Sequence, residues 1–133
     1  MSGGNGNDLL FGDFVPEYYL DSDAAADLES QGSTPGDDML IGGAGDDQLF
    51  GQEGDDTLEG GEGCDTFFFA EGWGRDVITD FTDHDTIDLT LMDTSFGELS
   101  ITATNDAVVV DFGNDDTLTV NGVTELTEDD FSF

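Results

Sequence analysis

Residues 42–68 read GGAGDDQLF, GQEGDDTLE and GGEGCDTFF, three nine-residue units in tandem without a gap. Each unit has Gly at positions one and four: Gly42 and Gly45, Gly51 and Gly54, Gly60 and Gly63. Each has Asp at position six (Asp47, Asp56, Asp65) and a large apolar residue at position eight (Leu49, Leu58, Phe67). Glycines permit a positive φ and close backbone approach, so the first six residues can form a tight turn. The last three alternate about one apolar side chain, as a short half-buried strand does. One such unit cannot bury its apolar residue alone; stacked units can, through a ladder of like side chains. A flexible Gly/Asp-rich linker would not hold an apolar residue in phase with an aspartate over successive units. The pattern therefore predicts a solenoid of turn-plus-strand units.

Each turn offers backbone carbonyls and one carboxylate. A hard cation of Ca²⁺ size takes six to eight oxygens, and two neighbouring turns can supply them. There is no His or Cys pair at a metal spacing, which argues against zinc and copper. The nonapeptide resembles the calcium-binding repeats of the repeats-in-toxin (RTX) family. The resemblance implies an all-β fold, a calcium-bound parallel β-roll in which consecutive units face opposite sides and turns stack two units apart.

The same frame runs beyond the central units. Residues 3–11 form a full repeat with Gly3, Asp8 and Leu10. Gly12 and Asp13 begin another, which resumes with Gly36, Asp38 and Leu40 after an insert of about 21 residues. Within the insert, the stretch from Ser22 reads as a short helix. Ser22 is the candidate N-cap, Ala24, Ala25, Ala26 and Leu28 propagate it, and Gly32 stops it. Phe14, Val15, Tyr18, Tyr19, Leu20 and Leu28 are expected to pack the insert against one flank of the roll. Asp21, Asp23 and Asp27 do not make an EF-hand loop, because the sixth position is not Gly and Gly32 stands where the final Glu belongs. After two spacer residues, Phe69 and Ala70, the frame returns with Gly74, Asp76 and Ile78, then with Asp85 and Ile87. Asp83 occupies the position-four glycine of that last unit, where the turn must tolerate it in a left-handed conformation. GWGRDVITDF followed by DTIDL resembles the segment that closes many RTX rolls.

The tail changes character. LSITAT, AVVVDF and TLTV are short β-rich runs separated by turn residues, expected to form antiparallel hairpins that cap the apolar ladder and strand edges. The ending TEDDFSF resembles the C-terminus of RTX proteins exported by type I secretion; read without the family, it is a last strand anchored by Phe131 and Phe133. The expected organisation is one domain over residues 1–133: a roll over 3–88 with a helical insert at 14–34, then an antiparallel β cap and secretion-signal-like tail over 89–133. Met1 and Ser2 run straight into a repeat, which reads as the start of a segment from a longer parent polypeptide.

Charge decides what such a chain can meet. There are 33 acidic residues against one base, Arg75, for a formal charge of −32. That excludes nucleic acid and anionic membrane as electrostatic partners. Such a charge would ordinarily favour disorder. With 36% hydrophobic residues, 11 of the chain being Phe, a core can form once cations neutralise the carboxylates. No signal peptide and no apolar run of membrane-spanning length is present. The single Cys64 makes no internal disulfide and falls at a variable, solvent-facing position. The single His84 lies between Asp83 and Asp85 and reads as a turn residue; no nucleophile-elbow, zinc-protease or P-loop motif is present, so no enzyme activity is expected.

The family geometry implies about five Ca²⁺ sites shared by Asp8 with Asp47, Asp38 with Asp56, Asp47 with Asp65, Asp56 with Asp76, and Asp65 with Asp85. Backbone carbonyls from the glycine half of each turn complete the shells, and Asp37, Asp46 and Asp55 at position five point to solvent. About five divalent ions would reduce the charge to roughly −22, still acidic enough to keep the surface solvated. At a Kd of about 0.1 mM and calcium of about 1 mM, each site adds about 1.4 kcal/mol and five add roughly 7 kcal/mol, the scale of a whole domain's stability. The function this implies is a secreted, extracellular module that folds on calcium and supports type I secretion and stability of its parent. A calcium-dependent carbohydrate-binding accessory module is the alternative, with Trp73, Tyr18 and Tyr19 as sugar-stacking candidates, or else an adhesin segment or calcium buffer. The charge disfavours uronate polymers, since Arg75 alone cannot hold many carboxylates.

Overall fold

The structure is a computed structural model that describes residues 2–7, 9–12, 28–30 and 36–133. Among the described residues, thirteen strands form two sheets. In chain order they are β1 (Ser2–Asn5), β2 (Leu9–Phe11), β3 (Leu28–Ser30), β4 (Met39–Ala44), β5 (Gln48–Phe50), β6 (Thr57–Glu62) and β7 (Thr66–Phe68). There follow β8 (Arg75–Ile78), β9 (Thr86–Asp88), β10 (Ser100–Ala103), β11 (Ala107–Gly113), β12 (Asp116–Asn121) and β13 (Phe131–Ser132). One sheet has the order β1-β4-β6-β8-β12-β11-β10, the other β13-β9-β7-β5-β2-β3.

Successive repeats therefore alternate between sheets, because each turn reverses the chain. Like residues fall in register within a sheet. Leu40 aligns with Leu58 and Leu58 with Ile78 in the first sheet; Leu10, Leu49, Phe67 and Ile87 align in the second. All of these position-eight side chains are fully buried between the sheets. Removing such a side chain from water is worth about 1.5–3 kcal/mol, so the two ladders form the main apolar core of the roll. On the outer face of the second sheet, the position-nine rings of Phe50 and Phe68 stack at 4.1 Å, with Phe11 on Phe50 at 4.8 Å.

The tail does more than cap. β10, β11 and β12 are antiparallel to one another, as the turn signals predict, with Val108, Val110, Leu118 and Val120 facing the core. Yet β12 joins β8 in parallel, and β13 joins β9 in parallel, so the tail extends both sheets of the roll. Phe131 is buried at that last rung; Phe133 stacks on it at 5.9 Å and is exposed.

The helix expected from Ser22 to Gly32 is corrected where it is described. Leu28–Ser30 is strand β3, paired in parallel with β2, and the remainder of the expected helix lies outside the described residues. A short helix is marginal by itself, whereas the β2 edge offers a row of backbone partners that a strand can satisfy. Among the described residues the only helical segments are 3-10 turns at Phe96–Glu98 and Glu128–Asp130. None is long and apolar enough to cross a membrane.

Candidate metal centre

The two glycine positions serve different ends. Gly45, Gly54 and Gly63, at position four, have φ between +136° and +149°, where a side chain is strained. The position-one glycines do not. Gly42, Gly51 and Gly60 are needed because a Cβ there would strike Oδ2 of the position-six aspartate of the same unit: Asp47, Asp56 and Asp65 in turn. At Gly42 the same space also meets the carbonyl oxygen of Gly60, two units on. The missing Cβ thus leaves a cradle in which a carboxylate oxygen and a backbone carbonyl approach one another. The left-handed role falls instead at position two, on Gly43 and Gly61, and on Gln52 at +74°.

The aspartates stack through the backbone. The N–H of Asp38 donates to Oδ1 of Asp56 at 2.7 Å, and that of Asp56 to Asp76 at 3.0 Å. On the other side, the N–H of Asp47 donates to Oδ1 of Asp65 and that of Asp65 to Asp85, both at 3.0 Å. Four of the five expected pairs are thereby brought together; Asp8, in the fifth, lies outside the described residues. The separation is 18 residues in the uninterrupted run and 20 across Phe69 and Ala70. Gly3 lies half-buried on β1, and the parallel register of β1 with β4 sets it opposite Gly42.

Asp47, Asp56, Asp65, Asp76 and Asp85 are all buried. Burial, with the charges of Asp85, Asp47 and Asp80 adding to it, pushes the Asp65 carboxyl up from an ordinary 3.8 to about 6. Asp76 is pushed up to about 8 by burial and by the charges of Asp56, Asp55 and Asp116. Oδ2 of Asp65 is buried and accepts no hydrogen bond. Burying an unsatisfied anionic oxygen is costly unless a cation meets it. The chain has little to offer: among the described residues, the ion pair is Arg75 with Asp115, 3.9 Å apart and on the surface. No three His, Cys, Asp or Glu side chains among the described residues converge on one point. Any metal shell must accordingly be completed by backbone carbonyls. An all-oxygen donor set of this kind suits a hard cation.

Several roles had no explicit place in the repeat pattern. The position-five carboxylates are exposed but structured: Oδ1 of Asp37 accepts the N–H of Asp55, Asp55 accepts that of Arg75, and Asp46 accepts that of Cys64. They make a second, outer ladder instead of simply facing water. Asp80, standing at the position where the three central units carry Gly, accepts the N–H groups of Gly60 and Gly61 at 3.0 and 2.8 Å. Asp116 likewise accepts from Gly72 at 2.7 Å and Gly74 at 3.3 Å. Asp80's place at position one was the available signal; for Asp116, which comes from the tail, there was none. The expected left-handed Asp83 is corrected: its φ is not positive, because this turn is closed differently. Oδ2 of Asp85 accepts both the N–H and the hydroxyl of Thr82, at 2.7 and 3.0 Å. Cys64 and His84 are exposed, and Trp73 is half-buried within its turn. Tyr18 and Tyr19 lie outside the described residues.

Comparison with known proteins agrees with this geometry. Residues 1–14 and 33–67 match the RTX calcium-binding nonapeptide repeat (4 copies). No curated protein matches the sequence. The fold is similar to the solution structure of the AlgE6R2 subunit of the mannuronan C5-epimerase from Azotobacter vinelandii. The TM-score is 0.63 at 24% identity, over 100% of this chain and 91% of that one. It is also similar to the extracellular lipase LipA of Serratia marcescens, with a TM-score of 0.58 at 26% identity, over 77% of this chain and 20% of the lipase. Stacked nonapeptide turns, parallel sheets in repeat register and the match over residues 1–14 and 33–67 together identify RTX calcium-binding nonapeptide repeats in this chain.

Proposed function

We propose that the chain is a calcium-driven folding module, which stays unfolded or molten at submicromolar calcium and forms its roll outside the cell. The observation that carries this reading is Asp65: buried, charged neighbours above and below, and one oxygen without a hydrogen bond. The residues that would hold calcium are Asp38, Asp47, Asp56, Asp65 and Asp76, with Asp8 and Asp85 at the ends of the run. Carbonyls of the Gly-rich turns, around Gly3, Gly42, Gly45, Gly51, Gly54, Gly60 and Gly63, complete the shells. Bound calcium supplies the positive charge that the chain lacks. The protein's own part is to place the carboxylates two units apart and to exclude water from them.

On this reading residues 1–133 act as one unit, with the roll over 3–88 and the closing segment over 89–133. The module sits at the C-terminal side of a larger secreted protein and carries no catalytic machinery of its own. An unfolded chain suits passage through a narrow type I export channel, and folding outside then stabilises the exported protein.

A calcium titration followed by far-UV circular dichroism, with magnesium as control, tests this. The expected result is a cooperative gain of β signal between about 0.1 and 10 mM calcium, absent with magnesium. A spectrum already β-rich in chelator would overturn the folding switch.

A further inference from the structure

A recess of 420 Å³ lies between the last turn of the roll and the antiparallel cap. Its apolar lining is Leu91, Met92, Leu99 and Phe112. Three of these pack partly into the core; Leu91 is 56% exposed, among the few large apolar side chains left in water. A single exposed leucine is ordinary, but one set beside further apolar surface in a concavity marks a place where something can be buried.

The rim has one sign. Glu71, Asp93, Glu98 and Asp111 share the lining with these apolar side chains, and every charged residue of the lining is acidic. The hydrogen bonds to three of them come from neutral donors: Asn114 to Glu71, Ser95 to Glu98 and the Gly113 N–H to Asp111. No base of this chain can compensate them, since its one Lys or Arg is Arg75, which lies by Asp115. The rim repels anionic ligands. A bare hydrated cation would satisfy the rim and leave the apolar lining wet. The surface is complementary to a ligand that is both cationic and apolar, with its charges spread around a central apolar group.

We propose that this recess docks a basic amphipathic segment of a partner protein, one large apolar side chain entering between Leu91 and Phe112 while flanking Lys or Arg residues meet the rim. The volume suits one or two side chains, and four carboxylates in one lining suit a peptide that carries basic residues next to its apolar anchor. This surface is separate from the stacked aspartates of the repeats.

Fluorescence anisotropy on the calcium-saturated full chain tests it, using a short Lys/Leu peptide and a Lys/Ser peptide of equal length and charge. Salt of about 150 mM shortens the Debye length to about 8 Å and suppresses general attraction to a polyanion. The Lys/Leu peptide is expected to bind at least about tenfold more tightly, and Leu91→Ser, which leaves charge unchanged, to lower its affinity at least about fivefold. Asp93→Asn with Glu98→Gln is expected to weaken it too, whereas Asp106→Asn with Glu125→Gln, an equal charge change outside the recess, is not. Circular dichroism of each variant verifies folding. Equal binding of the two peptides, indifference to Leu91→Ser, equal loss from the distant pair, or recognition of a small amine amphiphile in place of either peptide would each overturn the proposal.

Discussion

The backbone N–H of Asp47 donates to Oδ1 of Asp65, 3.0 Å away and 18 residues later in the chain. One carboxylate thereby has two duties. Its first oxygen ties a turn to the turn two units before it; its second is buried beside Gly60 without a hydrogen bond. The tie belongs to the folded roll itself, whereas the second oxygen is a liability until a cation arrives.

Asp65→Asn separates these duties, because the amide keeps an acceptor and loses the charge. In saturating calcium the variant is expected to lose about 1.4 kcal/mol, the contribution of one site at tenfold excess over Kd. In chelator it is expected to be no less β-rich than the parent, since a repelling charge is gone. A denaturant titration in calcium and far-UV circular dichroism in chelator check this, and a variant less β-rich than the parent in chelator as well would mean that Asp65 is only a tie.

Acid is expected to act on the metal-free chain in the reverse of the usual sense for carboxylates. Folding raises the carboxyls of Asp65 to about 6 and Asp76 to about 8 from 3.8, so the folded state binds more protons than the unfolded state in that window. The destabilisation is full above the folded values and is relieved as pH falls toward 3.8. In chelator, β signal should therefore rise on acidification from pH 8 toward pH 4. With calcium present the dependence should invert, because protons compete for the same oxygens. Circular dichroism against pH in both buffers reads the two slopes.

Gly60→Ala is expected to cost roughly 1–3 kcal/mol, since its methyl would enter the space of the Asp65 carboxylate. Gly97→Ala meets nothing within 4 Å and should be nearly silent. Thermal melts in calcium compare the two.

Asp116→Ala removes the acceptor for the N–H groups of Gly72 and Gly74, and is expected to cost about 1–3 kcal/mol even at saturating calcium. Asp115→Asn, which keeps a residue suited to the left-handed φ of +74° on an almost wholly exposed side chain, should change stability by less than about 0.5 kcal/mol. Equal behaviour of the two would remove Asp116 from the account of how the roll is closed.

Much of the fold was legible because a period of nine carries its own evidence. The in-phase apolar residues predicted the buried ladders, and the geometry that the RTX resemblance implies predicted which turns meet. What stayed hidden came from outside the period. Leu28–Ser30 resembles a helix locally and is a strand because β2 presents an edge to it. Asp116 closes a turn more than 40 residues upstream, a distance no local pattern spans. Position one reads as a turn glycine, but its constraint is the volume of a neighbouring carboxylate, which appears only once the turn is built. Asp83 was assigned by analogy with its column, while Thr82 and Asp85 close that turn by their own hydrogen bonds.

The alternation of sheets bears on how such a chain can change length. A unit of nine residues is the smallest repeat of sequence, but its loss would exchange the sheets for every strand after it. β12 would then face the wrong neighbour, and so would β13. Two units, 18 residues, restore both alignments. Lineages of this architecture should therefore gain and lose rungs in pairs, and an odd change should survive only where the closing segment is rebuilt with it.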